Sequence, residues 1–159
     1  MSKPPQPTPS DDMTEVVEVD VEVEVPRFAF VKRFEDGTID FVSPVPTPFN
    51  YGAVPGSHAP DGDRLDVVLL GPRQAAGTRL VAPVHGVVHF VDAGQDDPKL
   101  IVGPRRPTPS ERTQIRVFFA TYARAKALLN WARGAPGGTF VRSVSFPADR
   151  DQLMGWLAP

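Results

Sequence analysis

Val17, Val19, Val21, Val23 and Val25 alternate with Glu18, Asp20, Glu22 and Glu24, the period of a strand with one buried and one acidic face. Phe28 to Lys32 and Ile39 to Val42 predict two further strands around Glu35-Asp36-Gly37-Thr38, whose Asp-Gly is a strong hairpin signal. Strands are also expected at Leu65 to Leu70, Arg79 to Pro83, Val84 to Val91, Leu100 to Val102 and Thr139 to Phe146. One segment has helical spacing: Ile115, Phe118, Phe119, Tyr122, Ala125 and Leu129 follow an N-cap read at Ser110, and Gly134 and Pro136 end the run. Asp149 to Leu157 predicts a short final helix. Gly, Pro and Asp at close intervals between strands favour a small closed or nearly closed barrel, mainly β within an α+β chain, over alternating strand-helix units.

Composition narrows this picture. Residues 1–14 are proline-rich and nearly devoid of apolar side chains, so a disordered tail is expected there, ahead of a single domain over 15–159. No cysteine is present, which removes disulfides, thiolate metal sites and cysteine nucleophiles and fits a reducing, cytoplasmic setting. No apolar run reaches the roughly 18 residues of a membrane span, and no signal peptide is expected. The net charge of -2 disfavours a broad nucleic-acid-binding surface.

The strongest chemical signal is Asp61-Gly-Asp63-Arg64-Leu65-Asp66, three carboxylates in six residues. Crowded anionic oxygens are tolerated either fully solvated, as in an exposed Asx-type turn, or around a hard cation. Val67 to Leu70 continue as an apolar strand, which carries Asp66 towards the protein. An EF-hand is excluded by spacing, because its sixth position would be Asp66 and its twelfth Pro72. A second cluster, Asp92, Asp96, Asp97 and Lys99, ends another apolar strand, and the two clusters could converge at one barrel mouth. Oxygen ligands for Mg²⁺ beside a cation for an anionic substrate point to phosphoryl chemistry. Tyr122 lies on the apolar helical stripe, where a core role is the simpler reading, and His58, His85 and His89 have no recognised ligand spacing.

Asn50-Tyr51-Gly52, then Asp61-Gly-Asp63-x-x-Asp66, then Asp92 with Asp97 and Lys99 resembles the soluble single-domain inorganic pyrophosphatases. That resemblance implies an OB-like five-stranded barrel with flanking helices, Mg²⁺-dependent hydrolysis of pyrophosphate to two phosphates, and a homo-oligomer, commonly a hexamer. It implies metal-binding roles for Asp61, Asp66, Asp92 and Asp97, with Glu24 holding metals through water. Asp63 is the group expected to help deprotonate the attacking water, and Lys32, Tyr51, Lys99 and Tyr122 match phosphate-contacting positions. The chain departs from the pattern at Phe34 (an acid in the family), at Pro44 and Ala123 (cations in the family) and at Arg64 (a proline). Arg64, Arg33 and Arg124 are candidate replacements for the missing cations, Arg64 foremost, against the alternative that all three are solvated surface charges. Altered substrate preference among phosphoanhydrides and a non-catalytic metal-binding scaffold are the alternative functions.

Overall fold

A computed structural model describes residues 15–33, 36–42 and 45–158, the side chains of 32, 33, 40 and 41 excepted. The predicted tail and the departures at Phe34 and Pro44 fall outside the described residues.

Nine strands and two helices are described: β1 (Glu18–Val25), β2 (Val31–Arg33), β3 (Ile39–Val42), β4 (Asn50–Ala53), β5 (Asp66–Leu69), β6 (Arg79–Asp92), β7 (Gln95–Asp96), β8 (Lys99–Val102), α1 (Pro109–Ala132), β9 (Phe140–Ser145) and α2 (Arg150–Leu157). The main sheet runs β1-β4-β5-β8-β6, and β6 pairs back onto β1, so five strands form a ring, closed as the strand punctuation predicts and of the OB-like kind that the family resemblance implies. β5 and β8 are parallel, while the other ring pairs are antiparallel. Strands β2 and β3 form a separate hairpin.

Period-2 alternation sorts the ring's side chains between two cores. Val19, Val21 and Val23, with Val67, Leu69, Val87, Leu100 and Val102, form one apolar cluster, onto which Leu153, Trp156 and Leu157 of α2 pack. Val68, Val88, Phe90 and Ile101 face the other way and meet Ile115, Phe118, Phe119 and Ala123 of α1. β5 and β8 are therefore apolar on both faces, which is why they read as continuous runs.

Several boundaries differ from the sequence-based expectation. The segment from Arg79 to Asp92 is one strand rather than two, with a register irregularity between Val84 and Gly86 in its pairing to β8. β2 begins at Val31 because Phe28 adopts a φ of 66° in a turn. The α1 N-cap is Thr108, not Ser110. Its side chain accepts from Glu111 N and the Glu111 carboxylate accepts from Thr108 N, a capping box with Pro109 in the first turn.

Candidate active site

The geometry of the site follows from register. Ala53 faces Asp66 across β4 and β5, and Asp66 faces Lys99 across β5 and β8. Alternation places Asp66 on the face of Val68, Lys99 on that of Ile101, and Asp92 on that of Val88 and Phe90. These polar residues continue the outer wall of the ring beyond the part that α1 covers. On α1, Tyr122 and Lys126 continue the stripe of Ile115, Phe118 and Phe119 in the same way. The two acidic clusters thus converge, but beside α1 rather than in the interior of the ring, which aliphatic side chains fill.

A cleft of about 550 Å³ lies at this junction. It is lined by Glu24, Tyr51, Asp61, Asp63, Arg64 and Asp66, and by Asp92, Asp97, Lys99, Tyr122 and Lys126, with Phe118 and Phe119 at its apolar end. Glu24, Tyr51, Asp61, Asp63, Arg64, Asp66, Asp92, Asp97, Lys99 and Tyr122 thus meet there as the sequence led one to expect, while the side chains of Lys32 and Arg33 fall outside the described residues. Arg124 is exposed on α1 and does not line the cleft, and Asp96 is exposed and pairs with Arg142 at 2.9 Å.

Lys99 is the pivot. Its side chain is 4% exposed, and its ammonium sits 2.7 Å from Asp66 Oδ2 and 2.6 Å from Asp97 Oδ2. Burial alone would lower its pKa, but the two carboxylates outweigh burial and raise it. Tyr51 donates its hydroxyl to Asp66 Oδ2 at 2.7 Å. Burial first, then the charges of Asp66 and Asp97, push that phenol well above its ordinary value, so it is a fixed donor at neutral pH. Asp97 is raised by burial and by repulsion from Asp66 and Asp61, against the lowering effect of Lys99.

Asp92 is held from three sides. Lys126 Nζ lies 2.6 Å from its Oδ2, while Asn130 Nδ2 at 2.9 Å and Thr139 Oγ1 at 3.3 Å donate to its Oδ1. Burial would raise this carboxyl, yet these donors, Lys126 foremost, hold it below the usual range. A tight turn places it: Ala93 and Gly94 have φ of 47° and 80°, the left-handed pair of a type I′ hairpin, and Asp97 N donates to Phe90 O at 2.9 Å on the return.

The loop from Ser57 to Leu65 carries the first acidic cluster. Buried Ser57 donates to Val54 O and accepts from Leu65 N, tying the loop's base. Asp61 Oδ1 accepts from Asp63 N at 3.1 Å across Gly62, whose φ is 91°, so the Asx-turn reading is correct in conformation and the loop still faces the cleft. Arg64 reaches Glu24 Oε1 at 2.6 Å and Glu22 Oε2 at 3.8 Å. Glu24 lies where the β1–β4 register shifts between Val23 and Val25, and Gly52 opposite allows the close approach, because a Cβ there would meet Glu22 O at 2.1 Å.

Among the described residues no three Asp, Glu or His side chains stand close enough to form a ready-made metal cage. The donor set nevertheless suits Mg²⁺, which binds through one or two carboxylates, keeps several waters and shares substrate phosphate oxygens. All five candidate ligands are carboxylates on one cleft, and Asp97 already feels the charges of Asp66 and Asp61.

Sequence reasoning missed Lys126 and Asn130. The signal for Lys126 was present, since it stands one helical turn after Tyr122.

A family model described as inorganic pyrophosphatase matches residues 14–134. The inorganic pyrophosphatase of Saccharolobus solfataricus is 32% identical over 106 residues, 62% of this chain and 62% of that protein. Inorganic pyrophosphatase 1 of Pseudomonas syringae pv. tomato is 34% identical over 101 residues, 63% of this chain and 52% of that one. The chain thus spans less than two thirds of the length of these curated relatives. The crystal structure of the Thermus thermophilus inorganic pyrophosphatase aligns with a TM-score of 0.67 at 25% identity, covering 94% of this chain and 92% of that one. That of the Neisseria gonorrhoeae inorganic pyrophosphatase aligns with a TM-score of 0.63 at 26% identity, covering 81% and 82%.

Proposed function

The chain belongs to the inorganic pyrophosphatase family, and from that premise we propose that it hydrolyses pyrophosphate to two phosphates with the help of divalent cations, Mg²⁺ foremost. The observation that carries this reading is the gathering of Asp61, Asp66, Asp92 and Asp97, far apart in the chain, on one cleft with Lys99 between two of them.

Glu24, Asp61, Asp66, Asp92 and Asp97 are the residues that would hold the ions. When bound, such ions supply Lewis-acid neutralisation of phosphate charge and make a nearby water more acidic. Asp63, exposed at the cleft, is the proposed acceptor of the water's proton. Tyr51 keeps its proton and orients the Asp66 carboxylate. Tyr122, whose pKa is raised chiefly by burial, presents a protonated hydroxyl as a donor for a phosphate oxygen. Its ring is set by Phe118, stacked at 5.8 Å, and Phe90 at 5.7 Å. Lys99 and Arg64 contribute positive charge towards the substrate, with Arg64 leaving its ion pair with Glu24 to do so.

Phosphate release from pyrophosphate, measured with and without Mg²⁺ and beside Asp63→Asn, tests this reading. Wild-type protein should release phosphate only with the ion, and the variant should lose about 100-fold or more in kcat, the usual range for a proton-transfer group. Well-folded wild-type protein without ion-dependent release would overturn the proposal. Tripolyphosphate and nucleoside polyphosphates belong in the same assay, because buried Ala123 leaves this helix position without the cation the family pattern has there.

A homo-oligomer, a hexamer by resemblance, and a cytoplasmic location complete the proposal. Among the described residues no helix is long and apolar enough to cross a membrane. Light scattering on the purified chain reads the assembly directly.

A further inference from the structure

Among the described residues lining the cleft, the cations are Arg64, Lys99 and Lys126. Lys99 is almost fully enclosed between Asp66 and Asp97, and moving it would leave two close carboxylates facing each other. Arg64 bridges Glu24 and Glu22. Lys126 is placed differently. It projects from α1, its side chain is 20% exposed, and its ammonium lies 2.6 Å from Asp92 and 5.9 Å from the centre of the Tyr122 ring. Asp92 does not depend on it for position, because Asn130 and Thr139 hold the other carboxylate oxygen. Thr139 and Asn130 are themselves hydrogen-bonded at 3.0 Å, so that support is continuous from α1 to the segment before β9.

We infer that Lys126 is a phosphate-binding residue, exchanging its contact with Asp92 for an oxygen of the bound diphosphate. The inference rests on the pyrophosphatase reading above and deepens it. Helical geometry favours this position: residues four apart on a helix differ by only about 40° in direction, so Lys126 shares the face of Tyr122, whereas the intervening Ala123 is buried against the apolar cluster and Arg124 is exposed outside the cleft. A long flexible ammonium also suits exchange, since it keeps one charge while its three donors are reoriented. Lys126 is distinct from a residue that merely positions Asp92, because the two roles predict different losses.

The experiment is calorimetric binding of imidodiphosphate, a P–N–P analogue, at saturating Mg²⁺, beside Mg²⁺ titration without the analogue and phosphate release from pyrophosphate. Wild type is compared with Lys126→Gln, Lys126→Arg and Asn130→Ala, each checked for a wild-type unfolding midpoint. Losing one charge-assisted hydrogen bond should weaken analogue binding by Lys126→Gln about 10- to 100-fold, with a matching rise in KM. Lys126→Arg should restore binding to within about fivefold, as either cation can meet a phosphate oxygen. Asn130→Ala, which loosens Asp92 while keeping the charge, should leave analogue binding within about threefold on the weak net value of a neutral hydrogen bond. Wild-type analogue affinity in Lys126→Gln, or a change confined to Mg²⁺ affinity, overturns the assignment and leaves the pyrophosphatase reading standing. Wild-type protein that neither binds the analogue nor releases phosphate overturns both.

Discussion

Replacing Lys99 with methionine keeps the side chain's volume and removes its charge, leaving Asp66 and Asp97 to repel each other where the lysine is almost fully enclosed. Breaking a buried pair from one side costs about 3 to 5 kcal/mol, and with these carboxylates partly solvent-exposed the low end, about 3 kcal/mol, is expected. Urea denaturation of Lys99→Met without added Mg²⁺ measures it, and a loss below about 1 kcal/mol would contradict the pivotal position given to Lys99. Residue identity was where the sequence spoke most clearly. Asp61, Asp63 and Asp66 announce themselves by crowding, and Asp92 and Asp97 by ending an apolar run. Lys126 was marked only by its place one helical turn after Tyr122, and Asn130 not at all, because the relation of both to Asp92 exists only once α1 has docked on the ring, 34 to 38 residues along the chain.

Among the elements, α1 is long and docks through its aromatic stripe, yet its start is set by the box formed by Thr108 and Glu111. Thr108→Ala should lower stability by about 1 kcal/mol, as typical caps do. Glu111 also pairs with Arg105 at 2.9 Å, and chiefly through that bond its carboxyl is held below its ordinary value of 4.5. A carboxyl with a depressed folded-state pKa contributes fully above the unfolded value and loses its contribution as pH falls through the depressed one. Glu111→Gln, which can still cap, should therefore cost under about 1 kcal/mol at neutral pH. That difference should fade below pH 4.5 in denaturation series run across the acid range. The helix itself was legible from its 3.6-residue period, whereas its cap was read two residues late although Thr108 and Glu111 already had capping-box spacing. β1 was legible because strict alternation over eight residues suits one buried face. β4 was not identified as a strand, since Asn50–Ala53 is only four residues long and contains Gly52, retained for close approach rather than strand propensity.

For the molecule as a whole, barrel-like closure was inferred from punctuation between strands, but the side of the ring that holds the site was not. That depends on which face α1 covers and which α2 covers, and both faces of β5 and β8 are equally apolar in sequence. The completed arrangement distributes Arg64, Lys99 and Lys126 among Glu24, Asp66, Asp97 and Asp92, so these four carboxylates of the cleft have internal counter-charges before any ion arrives. Treatment with EDTA should accordingly abolish phosphate release while moving the thermal midpoint by no more than about 4 °C, the shift that about 1 kcal/mol produces in a chain of this size. Calorimetry before and after chelation reads this, and loss of a cooperative transition would mean that the ions hold the fold together. On the proposed function, the same three cations would make idleness harmless to the protein: deprived of its ions, the cleft would fall silent with its shape kept, and work would resume on resupply without any need to refold.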